Sequence, residues 1–527
     1  MMRFLAGACI AALCVASVPA QNAALAPAFK TFPATPRAPT GAPNILLVLT
    51  DDIGFGATSI FGGGTPTYDA LAARGLRYNN FHTVALCSPT RAALLTGRNH
   101  HRVGYGALAD MTVDQPGYNG VLPASAATIG QVLKANGYDT SWIGKNHNTP
   151  PWEATPLRTF RRQKALGLIP AQATMTPRPA AIPAWDTLSL EEKRVSTRMM
   201  EAYAAQLAFV DAQLGSVIAE LKQLGQYDNT LILYIQGDNG ASQEYGIHGA
   251  NNAYAYLNGN PATPAQMAQA INDLGTRRSS ASIPAGWAYA MNAPFPRSKG
   301  VASHLGGLKD GLVVSWPARL TGRGEVRRQF TRVTDIAPTI YEAAGITAPE
   351  TLNNARQMSF DGISFAYSFT QPEAAERHRE QYFEMLGDRS VYRDGWLAST
   401  TPVKEVWDHG PGHPNPTEFK WELYDLAHDY AQSKNLAARY RDRLAAMKKG
   451  FDAAARANNV YPMRADFFTR LSPSVLGAGR HAATFYPGTT RYSANMFPSL
   501  ANTSWQATAE IDVASGGGDG TLVAQGG

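Results

Sequence analysis

The chain has 527 residues, of which 44% are hydrophobic and 17% are charged, and its formal net charge is +6. This composition excludes a largely disordered protein and favours a globular one with more than one folding unit. Nucleic-acid binding is not expected, because no block of Lys and Arg is interleaved with aromatic residues. The mild positive excess suits a small anionic substrate instead.

The N-terminal region predicts a secretion signal. Residues 1–20 combine a positive charge with an apolar run that is too short to span a bilayer, and they end in small residues at Ala20. Cleavage near Ala20 would give a periplasmic or secreted protein without stable membrane insertion; an uncleaved anchor is the alternative. Cys9 and Cys14 lie in this signal, so Cys87 is the one cysteine expected in the mature chain.

Four regions are predicted after the signal. Residues 21–43 are rich in proline and alanine and predict an extended linker. A catalytic domain is expected over residues 44–350 and a smaller C-terminal α+β subdomain over residues 376–460. Residues 461–527 predict an irregular tail that resembles the start of an incomplete β domain.

Strands and helices alternate along the expected catalytic domain. Apolar runs at residues 44–50 and 230–236 predict strands that are buried on both faces, and residues 139–144 predict another strand. Helical spacing predicts helices over residues 125–137, 191–225 and 334–346. This order predicts an α/β fold, a three-layer α/β/α sandwich around a large, mostly parallel mixed sheet. In the smaller subdomain, a hairpin with its turn at Asp394-Gly395 is expected, followed by a strand and a helix.

Acidic and amide side chains follow both apolar runs. Asp51 and Asp52 come directly after the first run, and Asp238 and Asn239 come just after the second. Because ligands of open α/β sheets bind outside the carboxyl ends of the strands, these side chains are expected to meet. Three carboxylates and one amide oxygen suit a hard cation such as Ca²⁺ or Mg²⁺ rather than zinc. Loop solvation and helix capping are the alternative for either pair alone.

Residues 87–91, CSPTR, begin another predicted helix. A proline early in this helix and a cap at Gly97 place the Cys87 side chain at the helix N-terminus, where free N–H groups favour negative charge. A lone cysteine is more often a small buried hydrophobic residue. The pattern C-x-P-x-R favours a functional cysteine here.

Residues 87–98, CSPTRAALLTGR, resemble the signature of the type I sulfatases, a family with an alkaline-phosphatase-like fold. Further stretches are similar to this family in the same order, from about residue 44 to residue 460: the two strand-end pairs above, GKNH at 144–147, SKGVASHLGGLKDGLVVSWP at 298–317 and WELYDLAHDYAQSKNLA at 421–437. The chain is therefore expected to be a bacterial arylsulfatase-like sulfuric ester hydrolase. Its expected substrate is a small-molecule or glycan sulfate ester.

The resemblance implies that Cys87 is a precursor. In this family a separate formylglycine-generating enzyme reads C-x-P-x-R in the unfolded chain and oxidises the cysteine to formylglycine (3-oxoalanine). The hydrated aldehyde attacks sulfur and returns to the aldehyde when sulfate leaves, which divides the hydrolysis into two easier steps. One Ca²⁺ ion, preferred over Mg²⁺, is implied, with Asp51, Asp52, Asp238, Asn239 and the product of Cys87 around it.

Roles for the other site residues follow from the same resemblance. Arg91 would hold the hydrated aldehyde, and Asp238 would also take a proton from it. Lys145 and Lys299 would neutralise the sulfate oxygens through charge-assisted hydrogen bonds. His147 would be the base that removes the second proton when sulfate leaves.

The chain departs from the family pattern after His147. Family members usually carry an insert there, with a buried strand and a histidine that protonates the leaving alcohol, but here the next histidine is His248. We therefore expect an internal deletion near residues 156–157. His248 is a candidate substitute for the missing acid, and His304 is a candidate for substrate contact, with a structural histidine as the alternative.

Two alternatives to a sulfatase remain open from the sequence. Phosphonate and phosphodiester hydrolases share the modified residue and the metal ligands, so the chain could belong to that class of enzyme. A catalytically impaired relative is the second alternative, because a missing strand opens the sheet and a missing general acid slows the reaction.

Overall fold

A computed structural model describes residues 36–58, 65–141 and 154–463, with short gaps at 109–110, 112, 114, 258, 321, 323 and 409–414. A few isolated residues beyond 463 are also described. The predicted signal and most of the tail lie outside the described residues. The same holds for residues 142–153, which include Lys145 and His147.

The main sheet has six strands in the described part of the chain. They are β1 (Asn44–Leu49), β2 (Leu76–His82), β3 (Thr230–Ile235), β4 (Lys309–Ser315), β5 (Glu325–Arg327) and β6 (Thr331–Arg332). The strand order is β1-β3-β4-β2-β5, and β6 continues the pairing of β2 after β5. Strand β4 is antiparallel to both of its neighbours, whereas the other pairs are parallel. The sheet is thus mixed and mostly parallel.

Eleven α-helices are formed by the described residues. They are α1 (Pro66–Arg74), α2 (Cys87–Thr96), α3 (Ile129–Ala135), α4 (Ala154–Ala165), α5 (Leu190–Gln223), α6 (Ala253–Leu257), α7 (Pro264–Gln269), α8 (Ala285–Met291), α9 (Leu305–Leu308), α10 (Ile336–Ala344) and α11 (Arg441–Ala457). Helices α3, α5 and α10 confirm the three helices that helical spacing predicted. Capping boxes at Thr128 and Ser189 explain where α3 and α5 begin. Each of these side chains accepts a hydrogen bond from a backbone N–H that has no partner within the helix.

Strand β3 is packed between two helical layers. Leu231, Leu233 and Ile235 lie in one hydrophobic core with residues of α2, α3 and α10. Ile232 and Tyr234 lie in a second core with residues of α1 and α5. Because side chains of a strand alternate between its faces, helices on both sides bury the whole apolar run. This arrangement confirms the predicted α/β fold with three layers.

Strand β1 differs from its prediction. Residues 45–49 are half-buried and Asn44 is exposed, because β1 ends the strand order and only β3 pairs with it among the described residues. Within the described part of the chain, one edge of this apolar strand is therefore unpaired. Residues 139–141 of the other predicted strand do not form a strand, and residues 142–144 lie outside the described residues.

A second sheet follows the main one along the chain. After the short pair β7 (Thr351–Leu352) and β8 (Ala355–Arg356), it contains β9 (Glu380–Met385), β10 (Asp388–Arg393), β11 (Trp396–Thr400) and β12 (Trp421–Asp425), all antiparallel. The turn between β10 and β11 is Asp394-Gly395, both with positive φ, as predicted. Helix α11 buries Met447 and Phe451 against this sheet.

Across the described residues, every helix is too short or too polar to cross a bilayer.

Candidate active site

The carboxyl ends of β1 and β3 bring the predicted acids together. The two strands are parallel and in register, with Leu49 beside Ile235, so the chain leaves both strands at the same edge of the sheet. The backbone N–H of Asp52 donates to Oδ1 of Asp238 at 3.1 Å, and Nδ2 of Asn239 donates to Oδ1 of Asp52 at 2.6 Å. The strand-end prediction is therefore correct in its geometry.

Helix α2 brings Cys87 and Arg91 to the same place. Cys87 is the first residue of this helix, and Gly97 ends it in a left-handed conformation with φ of 69°. One helical turn after Cys87, Nη2 of Arg91 lies 3.2 Å from Oδ2 of Asp51 and 2.8 Å from Oδ2 of Asp238. Sγ of Cys87 and one carboxylate oxygen each of Asp51 and Asp238 all lie within 4.8 Å of one another.

Lys299 is the second cation of the described site. Its Nζ lies 2.9 Å from Oδ1 of Asp52 and 3.2 Å from Oε2 of Glu244. Burial alone would lower the pKa of Lys299, but Asp52 and Glu244 raise it well above the usual value. Lys299 is therefore charged at neutral pH and available to an anionic ligand.

The surroundings of Cys87 favour the neutral thiol. Burial raises its pKa to about 11, and the nearby Asp238, Asp52 and Glu244 add to this increase, while Lys299 opposes it. The expected preference for negative charge at the helix N-terminus is thus outweighed by burial and by the carboxylates. An unmodified Cys87 would be a weak nucleophile at neutral pH.

The strand-end oxygens fit a hard divalent cation. Burial and Asp52 raise the pKa of Asp238, a sign that carboxylates are crowded there, while Arg91 opposes the increase. Oδ1 of Asn239 is buried and accepts no hydrogen bond within the described part of the chain, although buried acceptors are normally satisfied. Carboxylate and amide oxygens are the ligands that Ca²⁺ prefers. Asp51, Asp238 and Asn239 could therefore hold such an ion, with Asp52 beside them.

The structure brings most of the predicted site residues together, but not all of them. Asp51, Asp52, Cys87, Arg91, Asp238, Asn239 and Lys299 form one cluster. Lys145 and His147 lie outside the described residues. His248 is partly exposed, and its Nδ1 lies 3.3 Å from Oε1 of Glu192 in the first turn of α5. Its described contact is therefore with that helix and not with the cluster.

His304 is buried beside the second sheet. Its Nδ1 lies 2.9 Å from Oγ of Ser303, and its Nε2 lies 3.6 Å from Oε2 of Glu422 in β12. Burial lowers the pKa of His304 to about 3, with a smaller contribution from Arg297. The imidazole is thus neutral at physiological pH and is poorly suited to protonate a leaving group.

Several residues that support the cluster were not predicted from the sequence. Glu244 pairs with Lys299, and the hydroxyl of Tyr203 donates to the backbone oxygen of Asp52 at 2.9 Å. Asp310 is fully buried and accepts a hydrogen bond of 2.8 Å from Thr83, and burial raises its pKa well above the usual value. The charged pair Lys309-Asp310 at the start of a buried strand was the available signal for Asp310.

Comparison with known proteins agrees with this geometry. The sulfatase family model matches residues 43–192 and 183–346. An uncharacterised sulfatase of Schizosaccharomyces pombe is 25% identical over 525 residues, covering 76% of this chain and 91% of that protein. The arylsulfatase of Klebsiella aerogenes is 25% identical over 434 residues, covering 62% of this chain and 91% of that protein. N-acetylgalactosamine-6-sulfatase of Homo sapiens is 26% identical over 427 residues, covering 70% of this chain and 75% of that protein.

The family match spans more than half of the chain and contains every residue of the described cluster. It runs from just before β1 to the end of α10, which is the part of the fold that builds the site. The chain belongs to the sulfatase family, the type I sulfatases of the alkaline-phosphatase-like superfamily, and it is an enzyme of sulfate ester hydrolysis.

Proposed function

We propose that this sulfatase uses formylglycine made from Cys87, together with Ca²⁺, to hydrolyse sulfate esters. The observation that carries the proposal is the position of Cys87 Sγ, within 4.8 Å of carboxylate oxygens of both Asp51 and Asp238. A neutral thiol among carboxylates has no evident use as a nucleophile. Its place in C-x-P-x-R and at the start of α2 suits a residue that is converted before it acts.

Conversion to formylglycine would supply a hydrated aldehyde that can accept and then release sulfate. Arg91 lies one turn away on the same helix and is held by two carboxylates, so it can orient the modified side chain. Asp238 is placed to accept a proton there, because one of its carboxylate oxygens lies within 4.8 Å of Sγ of Cys87. Lys299 supplies positive charge for the sulfate oxygens.

Ca²⁺ would be held by Asp51, Asp238 and Asn239, with Asp52 at its side. When bound, it would add positive charge that stabilises the negative charge developing on the substrate oxygens. Lys145 and His147, which lie outside the described residues, are proposed as the second sulfate-binding cation and the base for sulfate release.

We also propose a reduced capacity to protonate the leaving group. The alignment with the Schizosaccharomyces pombe sulfatase extends over 525 residues but covers only 76% of this chain. That relative therefore has residues inside the aligned region that lack a counterpart here, which supports an internal deletion. Neither His248 nor His304 makes a described contact with the cluster. Substrates with good leaving groups, such as aryl sulfates, are therefore the proposed substrates.

The mass of the peptide that contains Cys87 tests the mechanism. After co-expression with a formylglycine-generating enzyme, this peptide should lose about 18 Da, since a thiol has been replaced by an aldehyde. The matured protein should hydrolyse p-nitrophenyl sulfate, and Cys87→Ala should not. A peptide that stays a thiol, or equal turnover by Cys87→Ala, contradicts the proposal.

Parallel kinetics decide between the classes of enzyme. A sulfatase should give a higher kcat/KM with an aryl sulfate than with an aryl phosphodiester or phosphonate, and the reverse order indicates the alternative hydrolase. Full conversion of Cys87 without turnover of any of these esters indicates the impaired relative. We further propose that the enzyme acts in the periplasm or outside the cell, which fractionation of a bacterial host tests.

A further inference from the structure

We propose that Glu244 determines the charge preference of the site, so that a substrate group with one negative charge is favoured over a group with two. A sulfate monoester carries one negative charge at neutral pH, whereas a phosphate monoester carries between one and a half and about two. The inference rests on the proposed function, because it takes Lys299 as the cation that meets the substrate anion.

The contact that carries this inference lies inside the site. Oε2 of Glu244 is 3.2 Å from Nζ of Lys299, and the two side chains are only 15% and 10% exposed. Asp52 lies on the same ammonium group, with both of its carboxylate oxygens at 2.9 Å from Nζ. When an anion enters the site, the ammonium group of Lys299 is therefore already paired with two carboxylates.

Glu244 and Lys299 are held in this position by their backbone segments. Oγ of Ser242 donates to Oε2 of Glu244 at 3.2 Å, and the backbone N–H of Lys299 donates to the oxygen of Ala241 at 3.3 Å. Nδ2 of Asn292 donates to the oxygen of Ala241 at 3.4 Å and also to the segment just before Lys299. The pair is thus built into the site before a substrate binds.

Within the described cluster, Glu244 has different charged neighbours from the proposed metal ligands. The carboxylates of Asp51 and Asp238 lie around Cys87 and Arg91, and Asn239 joins them through Asp52. Glu244 instead forms an ion pair with Lys299, and its negative charge contributes to the raised pKa of Cys87. Its negative charge therefore acts chiefly by offsetting the positive charge that Lys299 offers to an anion.

The negative charge of Glu244 weakens the binding of a doubly charged group more than that of a singly charged one. The Coulomb energy between Glu244 and a bound anion is proportional to the anion's charge, so repulsion of a dianion is about twice that of a monoanion. Removing the charge of Glu244 should strengthen the binding of both anions, and of the dianion more. Glu244 is a specificity-determining residue in this sense, and it acts through Lys299.

Kinetic comparison of matched variants tests the inference. The ratio of kcat/KM for p-nitrophenyl phosphate to that for p-nitrophenyl sulfate is measured in the matured, Ca²⁺-loaded enzyme and in Glu244→Gln. We expect this ratio to rise roughly tenfold in Glu244→Gln and to change little in Glu244→Asp, which keeps the charge. Glu405→Gln is the matched control, because its carboxylate lies 3.0 Å from Nη1 of Arg297, outside the cluster.

Anion binding gives a second readout that does not depend on turnover. The dissociation constants of methyl sulfate, which carries one negative charge, and methyl phosphate, which is doubly charged at pH 8, are measured by calorimetry. The unconverted protein is used, because its Cys87 thiol does not turn these esters over. In Glu244→Gln the affinity for methyl phosphate should increase by a larger factor than the affinity for methyl sulfate. Equal changes for the two anions, or an unchanged kinetic ratio, overturn the inference.

The two proposals fail separately. Absence of aryl sulfate turnover by the matured wild-type enzyme contradicts the proposed function, while the binding comparison still decides the role of Glu244. A loss of folding in Glu244→Gln is detected by thermal unfolding, and Glu244→Ala then provides the same charge change with a smaller side chain.

Discussion

Arg91 donates a hydrogen bond of 2.8 Å from Nη2 to Oδ2 of Asp238, which lies 147 positions away in the sequence. The same Nη2 is 3.2 Å from Oδ2 of Asp51. One guanidinium group on α2 thus joins the acids that follow two different strands. Since Cys87 lies one turn earlier on this helix, the contact also fixes the position of the cysteine relative to the proposed metal ligands.

Replacement of this arginine should therefore impair the site more than the fold. In Arg91→Ala, the two carboxylates lose the cation that holds them, so we expect kcat/KM for an aryl sulfate to fall by about 100-fold with a small change in melting temperature. Arg102→Ala is the control, because its guanidinium has similar exposure and pairs with Asp361 at 2.7 Å. Equal losses of activity in the two variants would argue against a special role for Arg91.

Addition of Ca²⁺ should stabilise the folded protein. A ligand that binds only the folded state at 100 times its dissociation constant adds about 2.7 kcal/mol to the free energy of unfolding. We expect the melting temperature to rise with Ca²⁺, to fall with a chelator, and to respond much less in Asp51→Asn. Asp361→Asn should keep the full response, because Asp361 pairs with Arg102. The same calcium response in both variants would remove Asp51 from the proposed metal site.

Lys309 should make the stability of the fold depend on pH. It is 2% exposed, its Nζ lies 3.9 Å from the ring centre of Tyr430, and burial lowers its pKa to about 7. Below pH 7 the lysine is charged in both the folded and unfolded states, so the cost of burying the charge is present in full. Between pH 7 and its unfolded pKa of about 10.4 the folded protein releases the proton first, so stability rises with pH.

This contribution can be measured by urea unfolding between pH 6 and pH 10. Lys309→Met should be more stable than the wild-type protein at pH 6, and the difference between them should shrink as the pH rises. Lys222→Met changes an exposed lysine of α5 and should leave the pH profile unchanged. A constant difference between wild type and Lys309→Met across this range would show that the folded protein keeps Lys309 charged.

Close packing of a site loop against helix α9 should make Gly240 intolerant of substitution. A Cβ atom at this position would lie 1.7 Å from the backbone oxygen of Gly306 in α9, so Gly240→Ala forces the loop away from this helix. We expect a loss of about 3 kcal/mol in the free energy of unfolding, as for an overpacked core, together with loss of activity. Gly130→Ala is the control, since its Cβ meets no atom within 4 Å, and it should slightly stabilise α3. Wild-type stability in Gly240→Ala would contradict this close contact.

Leaving-group dependence should reveal the missing acid. Loss of a general acid typically costs about 10² to 10⁴ in rate, and this cost is largest for poor leaving groups. The kcat/KM ratio of p-nitrophenyl sulfate to an alkyl sulfate should therefore be larger here than in the Klebsiella aerogenes arylsulfatase. A ratio equal to that of the relative would indicate that another group protonates the leaving alcohol.

Local patterns in the sequence predicted much of the framework. The apolar run before Asp51 and Asp52, the helical spacing of residues 191–225 and the turn at Asp394-Gly395 each depend on interactions between residues near one another in the chain. Such interactions can be inferred from spacing and residue type. The meeting of the strand-end acids could also be predicted, because parallel strands end at the same edge.

Tertiary packing decided the remaining features. Glu244 pairs with Lys299 across 55 residues, and His304 is buried beside β12. Among the described strands, β1 pairs only with β3, which is distant in the chain. The protonation of Cys87 depends on how deeply it is buried and on which carboxylates surround it. By itself the sequence determined the kind of chemistry, through the residues placed at strand ends and at a helix start. The charge state and the partners of these residues came from the tertiary structure, because desolvation and electrostatic interactions depend on distances in space.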